Sequence, residues 1–366
     1  MSEHRPYLNI GPGEFIKEEL EIRGWKQSDV AEIAGLSGKS ISQIINNKQS
    51  ITVETARLLS KVFGQSPQYW LNLDTNYRLR LNESLQEDDL IEIKSLIYKY
   101  MPIQEMVKKG WIKSCNTTKE LIEEIKDFWE IEDIDFSFLD KQILPNFRKS
   151  AAFNNFNQYH ALTWFNMARK CAKSYKAGSY DIKRLSELAS VICSYSRKDN
   201  GVEIFLDELK IAGVKFFVLR HLSKTYTDAA TFWDDMNPVI TYTCRHDRTD
   251  NFWFTIAHEI GHVMLHLDDH DAFFIDEDNR INTNEEKEAD RYANDILKVN
   301  EIMKFFDLNS VYISEQQILD CEETLEIDAS IIVGVLQHFG KLKRTHLNKF
   351  KSKVSSRIHS DYRPLK

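Results

Sequence analysis

Two histidines and a glutamate in the C-terminal half of the chain have the spacing of a metal site. His258, Glu259 and His262 form an HExxH sequence with an apolar flank. On a helix, positions i and i+4 lie one turn apart on the same face, so both imidazoles can bind one zinc ion. A glutamate beside them can hold the water that zinc polarises. The spacing therefore predicts a Zn²⁺ site with Glu259 as the catalytic base.

HExxH alone arises by chance in roughly a few per cent of chains this size, so the interpretation needs a further test. A catalytic zinc also needs a third protein ligand. The acidic segment 283–297 offers candidates. Glu286 lies on the inward stripe of this predicted helix, whereas Glu288 falls on its outer face. We therefore prefer Glu286 as the third ligand and keep Glu288 as the alternative. Asp290, one turn beyond Glu286, can accept the spare N–H of a zinc-bound histidine.

The residues just before the metal motif suggest how a peptide could be handled. The runs 214–219 and 238–244 are β-branched and aromatic, which predicts strands. We expect strand 238–244 to be an edge on which an extended peptide pairs. Tyr242 and Arg248 are candidates to stabilise an oxyanion, the alternatives being a core tyrosine and a surface arginine.

A second motif, near the N-terminus, has the pattern of a helix-turn-helix. Such a unit needs a small residue where its helices cross, and Ala31 fits. Gly35, four positions later, tolerates the positive φ that the turn requires. Apolar residues stand where the helix faces meet: Val30, Ala34, Leu36, Ile41 and Ile44.

The outward side of this motif is suited to nucleic acid. No acidic residue occurs between Leu36 and Val53, although the whole chain carries a net charge of −8. Short polar and basic side chains there can reach base edges or phosphates. The candidate DNA-binding residues are Gln27, Ser37, Lys39, Ser40, Gln43 and Lys48. The alternative is a plain helical bundle with a solvated face.

Composition limits the class of protein. Hydrophobic residues make up 42% and charged residues 28%, which excludes a disordered or collagen-like chain. We find no apolar run long enough to span a membrane and no signal-peptide pattern, so we expect a cytoplasmic protein without a membrane partner. The five cysteines are scattered, which argues against a disulfide framework.

The pattern along the chain predicts a mainly α protein with a smaller α+β unit. We divide it into a helix-turn-helix domain at 1–80, a helical middle at 81–198, a zinc domain at 199–340 and a basic tail at 341–366. Pro12 marks the first helix, and Met101-Pro102 predicts a break. The tail has nine Lys/Arg against one Asp, hence +8, and we expect a solvated or disordered end.

Residues 12–80 resemble the HigA-type antitoxin branch of the Xre/Cro-like repressors. The motif that carries this resemblance opens at Gln27 and closes at Ser66-Pro67-Gln68-Tyr69-Trp70. The resemblance implies a lambda-repressor-like domain of five helices, operator binding as a dimer, and autorepression. It also implies that Gln27 contacts a phosphate, while Lys39, Ser40 and Gln43 face the major groove.

The segment from Val239 through the HExxH motif to Glu286-Lys-Glu-Ala-Asp resembles the ImmA/IrrE family of gluzincin-like metallopeptidases. This resemblance implies a zincin-like domain that cuts a helix-turn-helix repressor. Together the motifs predict a homodimeric regulator that binds double-stranded operator DNA and carries a zinc-dependent endopeptidase acting on a repressor or partner protein. The alternative is a repressor or antitoxin whose metal domain is a sensor or binds a toxin or other partner without catalysis.

Overall fold

A computed structural model describes most of the chain, namely residues 9–81, 85–146, 156–267, 272–277, 283–306 and 313–364. The chain forms two compact units, Met1–Ile93 and Lys94–Lys366. None of the described helices is long and apolar enough to cross a membrane. The cysteine thiols are all free, as the scattered spacing predicts. The finer division into four parts stays a prediction.

The first unit is helical throughout its described part. Its helices are α1 (Pro12–Arg23), α2 (Gln27–Ala34), α3 (Gly38–Ile45), α4 (Val53–Phe63) and α5 (Pro67–Leu81), and α6 (Leu85–Tyr100) begins in this unit and ends in the next. The five helices confirm the predicted helix-turn-helix fold.

Local sequence explains where these helices begin and end. Pro12 occupies the first turn of α1, where a missing backbone N–H costs nothing. Gly35 ends α2 with φ 67°, the left-handed conformation that the turn before α3 requires. Ala31 is only 7% exposed, so α2 and α3 pack closely where the small residue was expected. The Asp74 carboxylate, buried, accepts the backbone N–H of Ile51 at 2.9 Å and ties the α3–α4 connection to α5.

The second unit combines helices with one small sheet. Its helices after α6 are α7 (Ile103–Lys108), α8 (Thr118–Trp129), α9 (Ser137–Asn146), α10 (Gln158–Ala172), α11 (Ile182–Ser190), α12 (Ile192–Ser196), α13 (Gly201–Ile211), α14 (Thr249–Leu265), α15 (Asn284–Ile296), α16 (Val299–Phe305), α17 (Glu315–Leu325) and α18 (Ala329–His338). Its strands are β1 (Lys215–Val218), β2 (Thr227–Asp234), β3 (Asn237–Tyr242) and β4 (Phe273–Glu277).

The strand order is β1-β3-β2-β4, with β1 and β3 parallel and the other two pairings antiparallel. The predicted strands at 214–219 and 238–244 correspond to β1 and β3, but the sequence reading missed β2 and β4. The expectation that strand 238–244 is an edge is wrong, because β3 is hydrogen-bonded on both sides. Among the described strands, β4 is an edge, and it pairs only with β2.

Helix α14, which carries HExxH, is the centre of this unit. It contacts α15, α18 and β2, and it has buried residues on every side. A helix that is buried nearly all round is typical of a protein core. The side chains of His258, Glu259 and His262 are therefore held in a dry environment.

The C-terminal segment is anchored by buried apolar residues, so the expectation of a disordered end is wrong for residues 341–364, although many of its polar side chains are exposed. Leu342, Val354, Ile358 and Tyr362 are buried there. The Lys351 ammonium lies 2.7 Å from the Asp250 carboxylate, in the first turn of α14. A charged tail thus supplies apolar anchors and a buried ion pair that sequence composition does not reveal.

Candidate metal centre

Helices α14 and α15 bring three potential metal ligands to one point. His258 Nε2 and His262 Nε2 are 3.0 Å apart. Glu286, from α15, lies 3.3 Å from the first of these nitrogens and 3.4 Å from the second, through its two carboxylate oxygens. Both histidines are buried and Glu286 is largely so.

These distances suit a tetrahedral zinc ion. With zinc–ligand bonds of about 2.0–2.1 Å, tetrahedral donor atoms stand about 3.4 Å from one another. The three observed separations are close to that value, and two imidazoles with one carboxylate form a donor set used in catalytic zinc sites. The residues present therefore fit a zinc ion that leaves one coordination position to water or substrate.

Hydrogen bonding and burial set the donor atoms in the protonation states that a metal needs. Asp290 Oδ1 lies 2.9 Å from His258 Nδ1, so it can accept the proton there and leave Nε2 for the ion. Burial lowers the pKa of His262, which favours the neutral ring. Burial alone would raise the pKa of Glu286, but the two adjacent histidines lower that pKa to about 2, so the side chain is a carboxylate.

Glu259, next to the first histidine, is fully buried on the side of α14 that meets the sheet. Its Oε2 accepts a hydrogen bond of 2.5 Å from the Thr231 hydroxyl of β2. Sequence reasoning missed Thr231, because nothing in the local pattern marks which threonine of a strand faces a helix 28 positions away.

Strand β4 supplies a second contact that the sequence did not indicate. The Phe274 ring stacks on His262 with centroids 4.3 Å apart and planes 14° apart. The other acidic candidate, Glu288, is exposed, and its carboxylate lies 3.7 Å from His266 instead. The structure thus brings Glu286 to the histidine pair and places Glu288 beside the next histidine along the helix.

The two oxyanion candidates have other partners. Tyr242 is fully buried, and its hydroxyl is 3.1 Å from Asn251 Oδ1 and 3.2 Å from the carbonyl oxygen of His246. Burial raises the pKa of this phenol well above its usual value. Arg248 pairs with Asp250 at 3.0 Å. These contacts, and the exposure of the Arg248 side chain, favour the core tyrosine and the surface arginine over roles in catalysis.

Gly261 lets helices α14 and α15 approach each other closely. A Cβ at this position would lie 3.1 Å from Ala289 Cα and 3.2 Å from its carbonyl oxygen, which are backbone atoms of α15.

We expect Gly261→Ala to destabilise the zinc-free chain by about 1–3 kcal/mol, because the crowded backbone must move. Urea unfolding measures this. Gly38→Ala, whose Cβ meets nothing within 4 Å, is the control and should cost less.

The proposed DNA-binding residues all lie in the α2–α3 region. Gln27, Ser37, Lys39 and Lys48 are exposed, and Ser40 and Gln43 are half-buried on α3. The Ser37 hydroxyl accepts the Ser40 backbone N–H at 3.1 Å, so it also caps α3. This cap fixes the start of the helix that would enter a DNA groove.

Comparisons with known proteins agree with both motifs. A helix-turn-helix family model matches residues 16–70, and the IrrE N-terminal-like domain model matches residues 209–304. A helix-turn-helix transcriptional regulator from Haemophilus influenzae is 37% identical over 92 residues, covering 24% of this chain and 85% of that protein. Virulence-associated protein I from Dichelobacter nodosus is 36% identical over 75 residues, covering 20% of this chain and 69% of that protein.

A solved structure of an addiction module antidote protein of a HigA family from Coxiella burnetii covers 23% of this chain and 92% of its own, at 29% identity and a TM-score of 0.22. On the sequence matches, the chain belongs to the helix-turn-helix transcriptional regulators. It also carries an IrrE-type domain, which has a metallopeptidase-type fold.

Proposed function

We propose that this protein is a HigA-like repressor whose IrrE-type domain is a zinc-dependent endopeptidase that cuts a repressor or partner protein. The observation that carries the peptidase part is the arrangement of His258, His262 and Glu286 around one point, with Glu259 buried beside them. A structural zinc site would use four protein ligands, whereas three with a neighbouring carboxylate is the pattern of hydrolysis.

The chain's own residues support a simple sequence of proton movements. His258, His262 and Glu286 would hold zinc, which supplies the Lewis acidity that activates a water and polarises a peptide carbonyl. Glu259 takes a proton from that water as the water attacks the carbonyl carbon. Glu259 then delivers this proton to the leaving amine when the C–N bond breaks. Asp290 keeps the His258 ring in one tautomer throughout.

Strand β4 offers a place for the substrate backbone. It is at one end of the described strand order, so its outer edge can pair with an extended peptide. Phe274 of this strand contacts the metal ligand His262, which puts the edge close to the reacting groups. The edge that was expected at strand 238–244 is therefore better assigned to β4.

The peptidase proposal is tested with the zinc-loaded full chain in ¹⁸O-labelled water. Two substrates would be used. One is β-casein, and the other is a tagged Glu259→Gln copy of this chain, which offers a helix-turn-helix domain for cleavage. Hydrolysis places ¹⁸O in the new carboxyl terminus, and mass spectrometry detects it. If neither protein gives labelled products, the result counts against the peptidase and favours a sensor or partner-binding domain.

The helix-turn-helix domain is proposed to bind operator DNA as a dimer. One short helix such as α3 reads few base pairs, and two copies related by a two-fold axis read two half-sites. The absence of acidic residues from Leu36 to Val53 avoids repulsion of phosphates in a chain that is otherwise acidic.

Gln43→Ala is expected to weaken binding to a duplex selected from a random pool about tenfold, since one good base contact is worth about 1–3 kcal/mol. Binding to a scrambled duplex should change little. Fluorescence anisotropy at fixed salt measures both. Gln68→Ala, an exposed glutamine on α5, is the matched control. Equal losses on the two duplexes would contradict base readout by Gln43.

A further inference from the structure

Thr231 lies on the interior strand β2 and reaches the proposed catalytic base from the sheet. Its Oγ1 donates a hydrogen bond of 2.5 Å to Glu259 Oε2, and both side chains are fully buried. A buried carboxylate needs such a partner, because its charge is costly without hydrogen bonds. The bond also ties α14 to the sheet at the position of the base.

The strand register explains why this threonine faces the helix. Thr231 is directly paired with Phe274 on β4, and paired residues point to the same face of a sheet. Phe274 stacks on His262, so this face looks toward the metal centre. The next residue, Phe232, points to the other face, where it contacts Phe165 of α10. One cross-strand pair thus contacts both the base and a metal ligand.

We propose that Thr231 is the positioning residue for Glu259. This inference rests on the proposed peptidase function, which requires Glu259 to hold and deprotonate a water. A carboxylate has about four lone-pair sites, so a bond at Oε2 leaves capacity for a water while stopping rotation of the group. The hydroxyl therefore holds the base at the distance and angle that proton transfer needs.

Three variants separate the hydroxyl from the packing. Thr231→Val keeps the shape and removes the donor, whereas Thr231→Ser keeps the donor and removes a methyl group. Thr241→Val is the matched control on β3. Thr241 is also fully buried, and within the described part of the chain its hydroxyl makes no hydrogen bond.

In β-casein hydrolysis by the zinc-loaded full chain, Thr231→Val should lower kcat about 30-fold, since small misplacements of a catalytic group are costly. KM and zinc content should stay at wild-type values. Thr231→Ser should have a kcat within about threefold of the wild-type value. Thr241→Val should have the wild-type kcat. The proposal is overturned if Thr231→Val keeps the wild-type kcat, or if the serine variant is as slow as the valine variant.

A second measurement needs no turnover. The infrared carboxylate band of Glu259 is obtained from the zinc-free full chain by subtracting the spectrum of its Glu259→Gln derivative. Thr231→Val should shift this band and Thr231→Ser should not; an unshifted band in the valine variant overturns the proposal. If neither β-casein nor the tagged Glu259→Gln copy is cut but the band depends on Thr231, the positioning contact stands and the peptidase function fails.

Discussion

Glu259→Gln is expected to lower the rate of peptide cleavage about 10³-fold, because general base catalysis contributes roughly 10²–10⁴-fold. The glutamine amide has nearly the same shape but cannot take a proton from water. Glu259 is fully buried beside the histidines without being one of the three grouped ligands. Zinc content should therefore remain one ion per chain, and affinity for the selected duplex should not change. Cleavage is followed by ¹⁸O incorporation.

The matched control is Glu285→Gln, the same change on the exposed first turn of α15. It should cleave like wild type. Cleavage by Glu259→Gln at the wild-type rate would contradict the role of Glu259. If Glu259→Gln relieves repression in cells as wild type does, that relief does not depend on proteolysis. The metal domain would then act as a sensor or a partner-binding surface.

Glu286→Ala is expected to weaken zinc binding roughly 10³-fold, because only two protein ligands remain at a site whose binding energy is large. The carboxylate lies 3.3 Å and 3.4 Å from the two histidine nitrogens, so its loss opens one side of the ligand set. Elemental mass spectrometry of wild type and variant, prepared identically, measures zinc per chain. Competition with a chromophoric chelator gives the affinity.

Glu288→Ala is the control for this second prediction and also tests the alternative ligand. Glu288 is on the same helix and is 52% exposed. We expect its removal to leave zinc affinity near the wild-type value. The reverse result, with zinc lost from Glu288→Ala and kept by Glu286→Ala, would assign the third ligand to Glu288. No zinc in reconstituted wild type would leave DNA binding as the main function.

Features that depend on neighbours in sequence could be predicted without a structure. The i, i+4 spacing of His258 and His262 determines that they share a helix face, and they do so on α14. The glycine at the α2–α3 turn follows in the same way, because one residue's φ decides whether the chain can turn there. The preference for Glu286 over Glu288 used only helical periodicity, and it agrees with the observed distances.

The remaining parts of the site depend on contacts between distant segments. The contact from Thr231 to Glu259 requires a strand register, and pairing partners are not encoded in any short stretch of sequence. The edge strand β4 lies after α14 in the chain but pairs with β2 before it, which is why the edge was first assigned to the wrong strand.

The amino-acid sequence by itself thus indicated a helix-turn-helix regulator with an IrrE-type domain, the helices that carry the two motifs and the candidate side chains for zinc and DNA. Helical spacing depends only on residues that are near in sequence, so it can be recognised without knowledge of the fold. Only the tertiary structure shows that β4 is an edge strand, that the Thr231 hydroxyl contacts Glu259 and that the basic C-terminal segment packs against α14. Each of these depends on burial and on pairing across the fold, where the free energy comes from surfaces that meet only after the chain has folded.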